Sequence, residues 1–437
     1  MIAKRLLLNK YLWLLAISVF CLFALEILPL FTPYVISLHS CLISMAVKEV
    51  PFCVSCLGAS LLFLCAFRPK WPALVIILVL GLAFEIYLHS IRPVSSFVHW
   101  SYIWQSGSGI FPFALIYALV RLRRVWKTGT EKDIVQAVEI FGLGLCMPVF
   151  YALGSGGIVR QIHSYVYDGM IMASDFALTG TQPAFPVTAL LRHFVCLDVL
   201  MKFVYDWLPI WLMLGQLAVY WHERHEDAAR DIHFIPVLTY FAVYVAGIIC
   251  YAYLPGVGTQ AFLGKGVFPN GEMPAPGCAL FPVKAPFILP RNAMPSLHLS
   301  WILCAALPSC HLKKSYCYIG FSLVALTLLS AFSVGCHWFS DFVVAVPFSL
   351  FCLGITCIRT GWLTRTAAVL WGALSAVALM YVIKNHADIL LSCASEYTIA
   401  VVVIEAVSIA LLVALVRGRR EAPVSMSSES GAGDQVI

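Results

Sequence analysis

Charge is what this sequence has least of. Only 11% of its 437 residues are Asp, Glu, Lys or Arg, where soluble globular domains carry about 25%. That scarcity excludes an ordinary soluble protein, and it excludes a disordered chain, whose signature is low hydrophobicity. No cluster of carboxylates suited to Mg2+ occurs along the chain, so neither a metal nor any other cofactor is implied. The period-two alternation of barrel strands is missing, as is a convincing internal repeat. What fills the chain instead is apolar: 61% of residues are hydrophobic and mean hydropathy is +0.89. The formal charge of +6 matters in such a chain through where the charges lie, and it is no argument for a nucleic-acid partner. Sixteen cysteines are spread mostly through apolar segments, as small buried hydrophobes are. Cys53-Val54-Ser55-Cys56 matches C-x-x-C but lacks a second pair for zinc.

The fold class that follows is an all-α polytopic membrane protein, because in lipid unpaired backbone groups are too costly for anything but helices or closed barrels. Taking about 20 apolar residues per span, twelve candidates appear, at 11–32, 51–67, 72–90, 109–121, 134–154, 198–221, 233–254, 295–311, 316–334, 338–358, 366–384 and 397–416. The fourth is short and is open to an earlier start near Val94, and 33–50 has room for a re-entrant turn. The first run is too long for the apolar core of a signal peptide and lacks a small-x-small cleavage site, so it reads as a retained span. With the N-terminus inside, the compact basic clusters (Arg121, Arg123 and Arg124; Lys313 and Lys314; Arg417, Arg419 and Arg420) all fall on the cytoplasmic side. The organisation expected is accessory spans over 1–160, a catalytic core over 161–360, two further spans over 361–416 and a disordered cytoplasmic tail over 417–437. No retention signal marks the C-terminus.

Two outer segments are too long to be simple turns. Residues 154–197 hold Asp168, Asp175, the break Gly180-Thr181-Gln182-Pro183, Arg192 and His193, and are expected to form short interfacial helices. Residues 255–294 are rich in Pro and Gly and end at Arg291, just ahead of Pro295-Ser296-Leu297-His298. Pro295 suits the first turn of a helix, which puts Ser296 and His298 near the outer start of the eighth span, where free N–H groups attract phosphate. Later come Ser330 and then His337-Trp338-Phe339-Ser340-Asp341. His337 and Asp341 are four apart and share a helix face. A carboxylate beside an imidazole fixes its tautomer and makes it more basic. Two histidines from separate motifs thus reach one face at about one depth.

These motifs resemble those of the type-2 phosphatidic acid phosphatase superfamily, which carries Pro-Ser-x-His followed by Ser-Arg-x5-His-x3-Asp. Pro295, Ser296 and His298 match the first; Ser330, His337 and Asp341 match the second in register. The resemblance covers about 161–360 and implies a six-helix catalytic core. It also implies roles: His337 as the nucleophile that becomes a phosphohistidine, Asp341 as its orienting partner, His298 as general acid and then base, and Ser296 and Ser330 as phosphate-binding. Leu297 inside the first motif, Tyr205-Asp206-Trp207-Leu208-Pro209 and Tyr253-Leu254-Pro255-Gly256-Val257-Gly258 are similar to the inositol phosphorylceramide synthase branch.

The departures concern cations. Lys202 and Pro209 approach the family's Lys-x6-Arg-Pro without its Arg, Ala331 stands where the family has the second Arg, and Gln260 stands where the branch often has one. Arg291, Lys284 and Lys265 are the nearest substitutes by sequence, Gln260 is a neutral donor, and Lys202 reads better as a lysine at a span end reaching for water than as a phosphate ligand. The function implied is a lipid phosphotransferase acting on a phospholipid or lipid phosphate at the exoplasmic face of the bilayer. The alternatives are a lipid phosphate phosphatase, or a transporter or scaffold with a degenerate site.

Overall fold

A computed structural model describes residues 50–90, 101–152, 164–215, 236–310 except 265, 276, 278–279 and 286–292, 314–357 and 360–417. The first expected span (11–32), the segment 33–50, the tail beyond Arg417, and the candidates Lys265 and Arg291 lie outside the described residues.

The chain is mostly helical. In order come α1 (Val50–Phe67), α2 (Trp71–Ser90), α3 (Ser101–Thr128), α4 (Glu131–Ala152), β1 (Tyr165–Val166), α5 (Asp168–Thr179), α6 (Ala184–His193), α7 (Val195–Asp206), α8 (Pro236–Tyr253), α9 (Thr259–Leu263), β2 (Val283–Lys284), α10 (Leu297–Ser309), α11 (Lys314–Val334), α12 (Phe339–Thr356), α13 (Trp362–Asn385), α14 (Ala387–Ser392) and α15 (Ala394–Arg417). The two strands form the only sheet among the described residues. They pair antiparallel, Tyr165 with Lys284 and Val166 with Val283, and join the two long outer segments.

Among the described residues four helices, α11, α12, α13 and α15 (to Val416), are long and apolar enough to cross a membrane, and shorter apolar stretches lie at 54–67, 71–87, 136–145, 239–253 and 297–309. The count of twelve is therefore not reached among them. Two boundaries need correction. The fourth span, expected at 109–121, is a helix running from Ser101 to Thr128, because backbone hydrogen bonding continues past the apolar stretch into polar ends. The sixth, expected at 198–221, breaks at Trp207 between α7 and helical residues 208–215. Short helices at α5 and α6 occupy the outer segment where interfacial helices were expected, and Gly180, left-handed at φ 69°, ends α5 by donating its N–H to the Phe176 carbonyl.

One apolar core runs through the molecule from Leu62 to Leu415. Its hub is α12, which packs against α5, α8, α10, α13 and α15. Of its apolar span 78% is buried, against 22% for the more apolar α15, so α12 is enclosed by protein while α15 leaves most of its apolar surface uncovered by it. Gly372 allows α13 to lie close on α12: a Cβ there would fall 2.6 Å from the Pro347 carbonyl oxygen and the Phe351 nitrogen.

Gly258, just before α9, has φ 85° and ψ 167°, a region open in practice to glycine alone. A Cβ at this position would run into the Cys336 carbonyl. Gly258→Ala is therefore expected to destabilise the fold by about 1–3 kcal/mol, seen as a lower midpoint of thermal unfolding in detergent. An unchanged midpoint would contradict the packing described.

Candidate active site

The site centres on the turn between α11 and α12. Gly335, at φ 73°, ends α11 by donating to the Phe332 carbonyl at 2.9 Å. His337 follows, and Asp341 lies in the first turn of α12. The His337 Nδ1 is 3.0 Å from the Ala293 carbonyl oxygen and 3.1 Å from Asp341 Oδ2. A carbonyl oxygen can only accept, so Nδ1 carries the proton and Nε2 presents its lone pair. That lone pair points toward the Ser296 hydroxyl at 3.4 Å. His337 is 2% exposed, and burial lowers its imidazole to about 4 against the opposing pull of the Ala293 carbonyl. It is a neutral base at physiological pH.

Ser296 is the N-cap of α10; its hydroxyl accepts from the Leu299 N–H, and its own N–H donates to the Asp341 carbonyl at 3.1 Å. The two motifs are thus hydrogen-bonded to each other through the backbone. The helix begins at Leu297, so Pro295 lies just outside the first turn in which the sequence placed it. His298, one residue into α10, brings its ring centroid to 5.7 Å from that of His337, at 70°. Tyr205 stacks on its other side at 4.3 Å, with the hydroxyl 3.5 Å from His298 Nδ1. His298 Nε2 is buried without a hydrogen-bond partner, as are Trp301 Nε1 alongside and Asp341 Oδ1. Buried polar atoms are nearly always paired in native structures, so such a group beside a neutral imidazole marks a candidate ligand position.

What holds His337 in place is a set of groups the motifs did not reveal. On α5, Asp168 and Asp175 are seven apart, two turns, and both point into the protein with no exposure. Asp168 accepts the N–H groups of Val257 (2.9 Å) and Gly258 (2.9 Å) and the Trp338 indole N–H (2.7 Å). Asp175 accepts the N–H groups of Phe339 (2.9 Å) and Ser340 (2.7 Å), the exposed donors at the start of α12. The end of α11 is held from α6, where Thr188 and Arg192, one turn apart, donate to the Phe332 and Ser333 carbonyls at 2.7 and 2.9 Å. From α9, Thr259 donates to the His337 carbonyl and the Gln260 N–H to that of Gly335.

The other sequence candidates lie elsewhere. Ser330 is buried, but its hydroxyl donates to the Thr327 carbonyl one turn back along α11 at 2.8 Å. Lys202 pairs with Asp198 on the same helix and is half-exposed. Lys284 is exposed in β2. The Gln260 side chain accepts from Arg192 at 2.8 Å. None of these four has a recorded hydrogen bond to either histidine. Ala331 is fully buried, and Arg192 reaches the same end of α11 from another helix. The sign that Arg192 mattered was its place on a short amphipathic helix in an outer segment otherwise poor in cations. Tyr205 stood in a stretch expected to resemble the synthase branch, but nothing in the sequence aimed it at His298.

With this geometry in hand, residues 171–355, from within α5 to the last turn of α12, match the family model described as the PAP2 superfamily. The matched segment contains Ser296, His298, His337 and Asp341 and is mostly helical and apolar. Searches of curated proteins and of solved structures find no match.

Burial pushes Asp168 and Asp175 up to about 7, outweighing the hydrogen bonds that favour their charged forms, with nearby Asp341 adding to the rise. An unfolded aspartate titrates near ~4. Between those values the folded chain holds protons that the unfolded chain has lost, so stability is greatest on the acid side and falls as pH rises through about 7. Thermal unfolding in detergent should thus show a lower midpoint at pH 8 than at pH 5, with Asp175→Asn flattening the slope. A midpoint that rises with pH, or an unaltered slope in the variant, would contradict this.

Proposed function

We propose that this chain is an integral membrane lipid phosphotransferase that works through a phosphohistidine at the exoplasmic face, similar to the inositol phosphorylceramide synthase branch. One observation carries the reading: a neutral imidazole with its Nε2 lone pair turned to the Ser296 hydroxyl lies 5.7 Å, ring to ring, from a second imidazole whose Nε2 is buried and unpaired. The match of 171–355 to a superfamily of membrane phosphatases and phosphotransferases supports the class of chemistry.

In the first step His337 Nε2 attacks phosphorus and forms a P–N bond. The bond from phosphorus to the leaving oxygen breaks, and that oxygen takes the proton of His298, which the bound phosphate anion keeps in its imidazolium form. In the second step His298 removes the proton of an acceptor hydroxyl, whose oxygen attacks phosphorus and breaks the P–N bond. Asp341 and the Ala293 carbonyl hold the Nδ1–H through both steps and stabilise the positive charge that develops on the ring. The Ser296 hydroxyl and the first turn of α10 face the equatorial oxygens. The burial of Ser296, His337 and Asp341 keeps bulk water from the phosphoryl group and favours a lipid hydroxyl as acceptor.

Purified protein should transfer a phospho-headgroup from a phospholipid to an added lipid alcohol without releasing free phosphate, with lipid products identified by mass spectrometry. His337→Ala and His298→Ala should each lower turnover by at least about 10²–10⁴-fold, leaving membrane insertion intact. Phosphate release regardless of the acceptor would replace the transferase with a phosphatase. Lipid movement with no turnover would support the non-enzyme reading.

A further inference from the structure

Helices α13 to α15 lie beyond the segment matched by the family model, yet they are joined to its centre. Both α14 and α15 pack on α5. The Tyr397 hydroxyl on α15 is 2.8 Å from Ser174 Oγ on α5. Ser174 Oγ is 2.8 Å from Ser340 Oγ on α12, and Ser340 Oγ is 2.6 Å from Asp175 Oδ1. Each of these groups is buried, with Tyr397 the most accessible at 8%.

A hydroxyl has one proton to give. With Asp175 ionised, as it is at pH 8, its carboxylate only accepts, so the proton of Ser340 goes to Asp175. The contact that Ser340 otherwise donates to Ser174 then reverses, Ser174 donating to Ser340 and Tyr397 to Ser174. All three O–H groups point the same way, and in such a line each bond polarises the next. The line ends on the carboxylate that caps the Phe339 and Ser340 amides, two and three residues after His337.

We propose that Tyr397 is a positioning residue of the phosphoryl-transfer site, acting through Ser174 and Ser340 on Asp175 and thereby on the start of α12. The C-terminal helices are on this account a working part of the site. The inference rests on the proposed function only for its kinetic readout.

The test compares Tyr397→Phe, which removes the terminal donor and keeps the ring, and Ser174→Ala, which cuts the line one step further in. Thr398→Val is the control, since the Thr398 hydroxyl shares its proton between the Ala394 carbonyl of its own helix and the Ala177 carbonyl of α5, outside the line. At pH 8, Tyr397→Phe and Ser174→Ala should each lower kcat roughly five-fold, the net effect of one hydrogen bond, with KM unchanged. The double variant should be no worse than either single one, because both act through one line. Hydrogen–deuterium exchange at the Phe339 and Ser340 amides should quicken in both variants and stay as in the parent protein in Thr398→Val. Tyr397→Phe and Ser174→Ala that match the parent in kcat and in exchange overturn the proposal, and so do effects that simply add. A parent protein with no phosphoryl transfer would overturn the proposed function instead, and amide exchange would still decide whether the line exists.

Discussion

The structure depends on keeping an irregular stretch of backbone in place inside a largely apolar protein. Residues 332–341 leave one helix, turn at Gly335 and enter another, so their N–H and C=O groups fall outside any regular ladder. In a membrane setting such groups must be satisfied by protein. Here the partners come from α5, α6, α9 and the lead-in to α10. Asp168 and Asp175 meet the donors, and Thr188, Arg192, Thr259 and Gln260 meet the carbonyls. His337 is positioned because the backbone on either side of it is paired.

That pairing also decides the chemistry available. The Ala293 carbonyl settles which nitrogen of His337 holds the proton, and burial keeps the ring neutral. The exposed lone pair then faces a region where His298 Nε2 and Trp301 Nε1 are the atoms left unpaired. Tyr205 covers the far side of His298 by stacking and reaches toward its Nδ1, which leaves Nε2 as the nitrogen turned to the ligand. The two side chains are chemically identical, so the division of labour proposed for them rests on their surroundings.

Part of the site was legible in the sequence. Pro295-Ser296-Leu297-His298 and His337 through Asp341 stand out because charge is rare, so polar residues at span ends are conspicuous. The i, i+4 spacing of His337 and Asp341 translates directly into a contact. Spacing along one helix is local, and local geometry is what a sequence encodes openly. Ser330 matched the family motif in register, yet its hydroxyl is taken by the Thr327 carbonyl, because a serine in a helix readily bonds back one turn. Lys202 was offered as a phosphate ligand and has Asp198 beside it, a pairing that the four-residue spacing already contained. The boundaries of α3 and the break at Trp207 were not legible, because hydropathy reports the preference for lipid and not where backbone hydrogen bonding stops.

The sequence by itself determined that the chain is helical and bound for a membrane, and which two motifs supply the candidate site. Composition and short-range spacing suffice for that, since each depends on residues only a turn or a span apart. Only the tertiary structure decided that Asp168 and Asp175 hold the turn bearing His337, that Arg192 reaches the end of α11 where the family motif has its own arginine, and that Tyr397 belongs to the same network. Those contacts join residues up to 223 positions apart. Which distant partners meet is set by how helices pack, and many different sequences of apolar helices satisfy the same hydropathy pattern while packing in different ways.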